Sequence, residues 1–219
     1  MKKIILTLTL ITSLLSLGFA QHYSLEAGYQ ATAGRVSVPA SQEYLFEEAS
    51  SRFGNDLFLG LVVEINDEFA LKGGLRSWMW PLDVTINSTD GLTSIEDGEL
   101  RQSGFYFRLD RNWQYFFITG GFDVSVINSY QAKLSIDDDG QTVLTQRDNE
   151  ISILTEEFNN QFNVVVGMGP SFPVSEKLKI RGLVELVAPL VPMYDTGEDD
   201  NLYFFPVFKL GVGVEYSLN

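Results

Sequence analysis

The chain has no cysteine and one histidine, His22, in 219 residues. The missing cysteine excludes disulfides and a lipid-attachment cysteine after an export signal. Histidine is the usual general base at neutral pH, so any site built on one must use His22. Basic residues are few, 15 Lys and Arg against 29 Asp and Glu. With no basic patch, nucleic-acid binding is disfavoured. Beyond residue 20 no run is apolar enough for a transmembrane helix, an absence that soluble periplasmic proteins share with membrane β-barrels.

What is present starts with an export signal. Lys2 and Lys3 precede an apolar core from Ile4 to Leu17, and Gly18-Phe19-Ala20 ends in the small residues a signal peptidase reads. Residues 1–20 are therefore expected to be a signal peptide cut after Ala20, and residues 21–219 a single domain. Loss of Lys2 and Lys3 takes the formal net charge from −14 to −16.

The rest is dominated by strict alternation, clearest from Gly104 to Val126. Phe105, Phe107 and Leu109 alternate with Gly104, Tyr106 and Arg108; Phe116, Ile118, Phe122, Val124 and Val126 alternate with Thr119, Gly121, Asp123 and Ser125. Period two marks strands. A two-residue turn at Arg111-Asn112 would set Phe107 opposite Phe116 and Phe105 opposite Ile118. Each arm has about the 9–11 residues of a tilted transmembrane strand.

Six further segments alternate in the same way. They are centred on 22–31, 57–65, 69–79, 162–169, 179–190 and 208–218. The sequence thus predicts an all-β, eight-stranded antiparallel up-and-down barrel. Its connections alternate long and short. The polar stretches 32–53, 81–100, 129–157 and 191–201 hold 19 acids and only four bases, Arg35, Arg52, Lys133 and Arg147. Nearly all the net charge therefore falls at one end of the barrel. Within 129–157, Asp137-Asp138-Asp139-Gly140 reads as the turn of a hairpin protruding beyond the membrane, between 133–136 and 141–145.

Alternation does not say which face is inside, because a soluble lipocalin-like barrel has an apolar calyx. Glycine decides it. Gly28, Gly60, Gly74, Gly104, Gly121, Gly167, Gly169, Gly211 and Gly213 share the charged faces, whereas Gly73, Gly120 and Gly182 share the apolar ones. Glycine weakens a strand unless space is short, and a narrow eight-stranded lumen is such a place. Phe105, Phe107, Phe116, Ile118 and Phe122 are then expected to face lipid. Glu26, Glu64, Lys72, Arg76, Arg108, Asp123, Lys179, Arg181, Glu185, Lys209 and Glu215 fall in the lumen. Near-balance of charge predicts a salt-bridge network packing the interior rather than a conducting pore.

The export signal, eight alternating strands, long-short connections and alternating last strand resemble the OmpA/OmpX-type small barrels of the bacterial outer membrane. Such barrels often end on an aromatic residue, whereas here the last aromatic is Tyr216. The resemblance covers residues 21–219 and implies fold and location: long connections outside the cell, short turns and both termini in the periplasm.

Candidate chemistry is sparse. Membrane-barrel lipases, lipid A deacylases, palmitoyl transferases and omptin-type proteases resemble this fold, but use a histidine at or near the outer leaflet. His22 falls at the opposite end, so no catalytic residue and no cofactor are expected. Asp137, Asp138, Asp139, Glu198, Asp199 and Asp200 are weak candidates for holding a hard cation, lacking the spacing of a dedicated calcium loop. Trp78, Trp80, Tyr203, Phe204, Phe205, Phe69, Trp113 and Tyr115 lie near strand ends as possible interfacial girdles, although Trp78, Trp80, Trp113 and Tyr115 count as inward by parity. The expected function is a non-enzymatic, monomeric surface barrel. Its expected partners are outer-membrane lipid, lipopolysaccharide and extracellular molecules met by acidic loops. A membrane-embedded lipid A or phospholipid enzyme and a soluble periplasmic carrier are the alternatives.

Overall fold

The structure is a computed structural model that describes residues 22–37, 46–51, 53–87, 92–138, 141–148, 159–191 and 203–218. The signal segment lies outside these residues. Ten strands are formed: β1 (His22–Ser37), β2 (Phe46–Ser51), β3 (Gly54–Glu64), β4 (Phe69–Asn87), β5 (Leu92–Asn112), β6 (Phe116–Asp138), β7 (Gln141–Asp148), β8 (Gln161–Pro173), β9 (Leu178–Pro189) and β10 (Tyr203–Ser217). Eight of them pair antiparallel around a closed ring, β1-β3-β4-β5-β6-β8-β9-β10, and β10 returns to β1 from Ser24↔Ser217 to Ser37↔Tyr203. Closure leaves no free edge in the ring. The short strands β2 and β7 stand above the rim, on β4 and β6.

Side-chain burial follows the expected phase. Phe105, Phe107, Phe116, Ile118 and Phe122 all point outward, between 39% and 57% exposed. The same outward row is apolar on every ring strand, from Leu25 and Tyr29 on β1 to Val212 and Val214 on β10. Along β6 it runs from Phe116 to Val126. Ten steps on a strand tilted by about 40° give roughly 25 Å of height, matching the apolar band of outer-membrane barrels.

The glycines sort as expected. A Cβ on Gly60 or Gly74 would collide with the Tyr106 ring, and one on Gly121 with the Phe107 carbonyl. Outward Gly120 has nothing within 4 Å of that position. The soluble-calyx alternative required an apolar interior, and the interior is charged.

Three expectations are corrected. First, the β5–β6 turn is not Arg111-Asn112. Both residues remain in β5, the connection is Trp113-Gln114-Tyr115, and the register is Phe107↔Phe122 and Phe105↔Val124. The pairing is displaced by six residues, an even number, so every side chain keeps its face. Asp110 explains the longer strand: its carboxylate is held in the lumen by Lys72 and Arg181, which keeps the chain extended past Leu109. The Trp113 N–H then donates to the Phe116 carbonyl, 2.7 Å, to close the turn.

Second, much of the polar sequence read as loop is strand. β4 and β5 stay paired from Pro81↔Glu99 to Asn87↔Thr93, and β1 and β2 fill part of 32–53. Polar alternation reads as loop only if strands are assumed to be half-buried; these stand above the band. The hairpin expected within 129–157 is present, with Ile136↔Leu144 and Asp138↔Gln141. Third, Trp78 and Trp80 are inside, 8% and 5% exposed, so neither belongs to a girdle. Trp113 and Tyr115, inward by parity, are instead exposed in the short turn. Of the other aromatics, Tyr203 and Phe204 of β10 pair through their backbones with Ser37 and Val36 of β1.

An arginine on the outward row tests the face assignment. Ile118→Arg is expected to cost about 2–4 kcal/mol in a lipid-reconstituted unfolding titration if it sits near the midplane. Gln114→Arg, in the exposed turn, should stay within about 0.5 kcal/mol. Equal effects would contradict the orientation.

Candidate functional site: a charged plug in the lumen

The lumen is filled by ionic side chains in two tiers. In the tier nearer the rim, Arg76 on β4 is the hub. Its Nε meets Asp56 Oδ2 at 2.8 Å, Nη1 meets Asp123 Oδ2 at 3.0 Å and Nη2 meets Glu185 Oε2 at 3.0 Å, and Nη2 also donates to Gln30. Four strands besides its own are thus tied to one guanidinium. Lys209 Nζ pairs with Asp56 Oδ2 at 3.0 Å and lies 3.5 Å from the Trp78 ring centre. Arg108 Nη2 pairs with Asp123 Oδ1 at 2.6 Å, while its Nη1 donates to the carbonyls of Phe107 and Phe122.

The second tier lies toward the short turns. Lys72 Nζ meets Glu26 Oε2 at 2.5 Å, Asp110 Oδ2 at 3.3 Å and Glu215 Oε2 at 3.8 Å. Arg181 Nη1 meets Asp110 Oδ2 at 2.7 Å and Glu215 Oε2 at 3.3 Å, its guanidinium stacked 3.5 Å from the Phe117 ring centre. Lys179 pairs with Glu64 and Glu215 at the mouth, where Lys179 is 43% exposed, so this last pair is only partly buried.

The local sequence explains the arrangement. Glu26, Gly60, Gly74, Tyr106 and Asp123 form one unbroken rung across β1, β3, β4, β5 and β6. The two glycines leave room for the Tyr106 ring to lie across them. Its hydroxyl donates to Glu26 Oε1 at 2.6 Å. Two rungs set like charges opposite each other, Glu26↔Glu215 and Lys72↔Arg108, which alone would be repulsive. The tiers resolve both: Lys72 reaches across to Glu26 and Glu215, and Arg108 turns the other way to Asp123 and Glu185.

All eleven charges expected in the lumen are brought together. Sequence reasoning missed Asp56 and Asp110, which are 0% and 1% exposed. Both sit on the inward parity of their strands. Asp56 was hidden by starting β3 at Leu57, Asp110 by reading it as turn; extending the alternation by one step at each place would have found them. With them the lumen set becomes seven acids and six bases. Tyr106, Gln30 and Trp78 complete the plug.

The remaining space is small. One cavity of about 30 Å³ lies between the tiers, lined by Tyr106, Asp110, Thr119 and Glu185 among others. That is room for one or two waters. Of the cation candidates, Asp137 and Asp138 lie at the end of β6 opposite Thr142 and Gln141, and Asp139, Glu198, Asp199 and Asp200 lie outside the described residues. Among the described residues no cluster of His, Cys, Asp and Glu could hold a metal. His22 is exposed at the short-turn end, opposite Glu64.

No family model and no curated protein matches the chain. Among solved structures, the chain is similar to Neisserial surface protein A at 14% identity, covering 90% of this chain and 97% of that one, with a TM-score of 0.45. It is similar to the outer membrane protein OprG of Pseudomonas aeruginosa at 11% identity, covering 91% and 98%, with a TM-score of 0.48. It is also similar to Ail, the attachment invasion locus protein of Yersinia pestis, at 14% identity, covering 90% and 98%, with a TM-score of 0.39.

Removing the hub should unfold the plug. Arg76→Met leaves Asp56, Asp123 and Glu185 buried beside too little positive charge, a loss of about 3–5 kcal/mol. Arg101→Ala, which breaks the exposed pair with Glu99, should cost no more than about 1 kcal/mol. Guanidinium unfolding followed by a heat-modifiable gel shift reads both.

Proposed function

We propose that the chain is an integral barrel of the bacterial outer membrane, exported by a signal peptide cut after Ala20, and that it acts at the cell surface rather than as a channel or an enzyme. The observation that carries this is the pairing of an apolar outer belt with a lumen closed by ion pairs from seven of the eight ring strands. Apolar residues exposed around a whole barrel are stable only in lipid. Charges inside are stable only when paired, and here the pairs cross the lumen and leave a cavity of about 30 Å³.

The short turns then face the periplasm and the long strands rise outside the cell. The acidic sequence rises with them: Asp83, Glu96, Asp97, Glu99, Asp137 and Asp138 all lie on β4, β5 and β6 above the belt. Specificity for a surface partner resides in those strands and their connections. Outer-membrane lipid surrounds the belt as a monomer's solvent, and calcium or magnesium bridging to lipopolysaccharide would offset the repulsion between anionic surfaces. An enzyme acting on lipid A or phospholipid is disfavoured because the only histidine is at the periplasmic end.

Single-barrel insertions into a planar bilayer are expected to give no conductance steps in neutral salt, and deletion in the native host to leave the lipid A mass profile unchanged. Ohmic steps would contradict the closed lumen, and an altered lipid A mass would establish the enzyme in its place.

A further inference from the structure

The outer wall carries a cation at its short-turn edge. Arg111 continues the outward row of Phe105, Phe107 and Leu109 on β5, and its side chain is exposed. Its guanidinium carbon lies 5.0 Å from the Trp113 ring centre and 5.8 Å from that of Phe69. A long cationic side chain can cover apolar wall with its stem while its head reaches the water boundary, and two aromatic faces hold the head there. Glu68 is the adjacent charge. Its Oε2 stands 3.6 Å from Arg111 Nη2, beyond hydrogen-bond reach. Among the described residues, no side chain or carbonyl accepts a hydrogen bond from this guanidinium. The backbone fixes the pair: Asn66 Oδ1 accepts from the Glu68 and Phe69 N–H groups, and the Asn112 N–H donates to the Glu68 carbonyl at 2.6 Å.

One step toward the middle of the belt the wall is hollow. Arg111 pairs with Ile118, and Leu109 with Gly120. Of the outward glycines, a Cβ on Gly73 would meet the Phe107 ring at 3.4 Å and one on Gly182 the Pro170 ring at 3.0 Å, whereas one on Gly120 meets nothing within 4 Å. The hollow is walled by Leu109 and Val166 across the sheet and by Ile118 and Phe122 along β6, all exposed and apolar. An apolar hollow with a charged pair at its edge has the order of a lipid, tail inward and headgroup at the boundary. The signs of the pair narrow the headgroup. A phosphate takes the free N–H groups of Arg111. Glu68 beside it opposes a purely anionic headgroup and accepts from an ammonium that has N–H to give, which choline lacks.

We infer that Arg111, Glu68 and the hollow at Gly120 form a binding site for one phospholipid of the periplasmic leaflet whose headgroup carries a phosphate and a primary ammonium, as phosphatidylethanolamine does. The inference rests on the membrane reading above, since it needs Arg111 at the level of the lipid phosphates. It makes this stretch of wall a specific contact where the rest of the belt meets lipid as solvent.

Trp113 reports on the site, because Trp78 and Trp80 are buried in the lumen. In phosphatidylcholine vesicles, a minor fraction of phosphatidylethanolamine brominated near the headgroup end of its acyl chains is expected to quench Trp113 about two- to fivefold more than the same fraction of brominated phosphatidylcholine. Arg111→Gln, Glu68→Gln and Gly120→Leu should each bring the two lipids to equal quenching. Val212→Leu, on β10 opposite β5 in the ring, should leave the preference intact. Any two of the three site variants suffice if the third lacks a heat-modifiable fold. Equal quenching in the unsubstituted protein, or a preference that survives Trp113→Phe or all three site substitutions, overturns the site. A preference erased by inorganic phosphate at constant ionic strength assigns Arg111 to a free anion and also overturns it. Adding Val212→Trp to the Trp113→Phe background, in vesicles made wholly of brominated phosphatidylcholine, separates the premises: quenching there keeps the membrane reading when the site fails, and no quenching removes both.

Discussion

The structure depends on one constraint: an eight-stranded barrel has an interior just wide enough to be filled by side chains, and these side chains are charged. Each buried charge must find a partner across the lumen, because an uncompensated charge in a low-dielectric interior costs several kcal/mol. This demand reaches seven of the eight ring strands through a few residues, β8 carrying no charged side chain. Arg76 ties β4 to β1, β3, β6 and β9, and Lys72, Arg181 and Glu215 tie β4, β9 and β10 with Asp110 of β5. Strand register is therefore specified from inside as well as by the outer alternation. A slip of one residue would turn Arg76, Asp56 and Asp123 toward the apolar exterior.

The constraint also accounts for where glycine is found. Long side chains can cross a narrow lumen only if opposing positions are empty, and Gly60 and Gly74 supply that space for Tyr106. The outward glycines have no such role, and Gly120 has open space around it.

Much of this was legible in the sequence because period two is a local signal. Faces, strand number, the lumen charges and the lipid-exposed row all follow from parity, and parity survives errors in register. What was not legible depends on partners distant in sequence. Asp110 resembles a turn residue until Lys72 and Arg181 are placed beside it. Asp56 resembles the end of a loop until Arg76 and Lys209 claim it. The β5–β6 pairing was displaced by six residues for the same reason, since a two-residue turn fits the alternation as well as the observed connection. The strands above the rim were missed because their polar sequence mimics loop composition. Trp78 and Trp80 had the correct parity, and only the attraction of tryptophan to membrane interfaces argued for placing them outside.

The absence of cysteine makes the central claim, polar inside and lipid outside, directly measurable. Single cysteines introduced along β6 from Phe116 to Val126, spin-labelled in bilayers, report collision with oxygen from the lipid phase and with a nickel chelate from water. The account predicts high oxygen accessibility at 116, 118, 120, 122, 124 and 126 and low accessibility to both agents at the positions between. Alternation in the opposite phase, or nickel accessibility at the even positions, would contradict it.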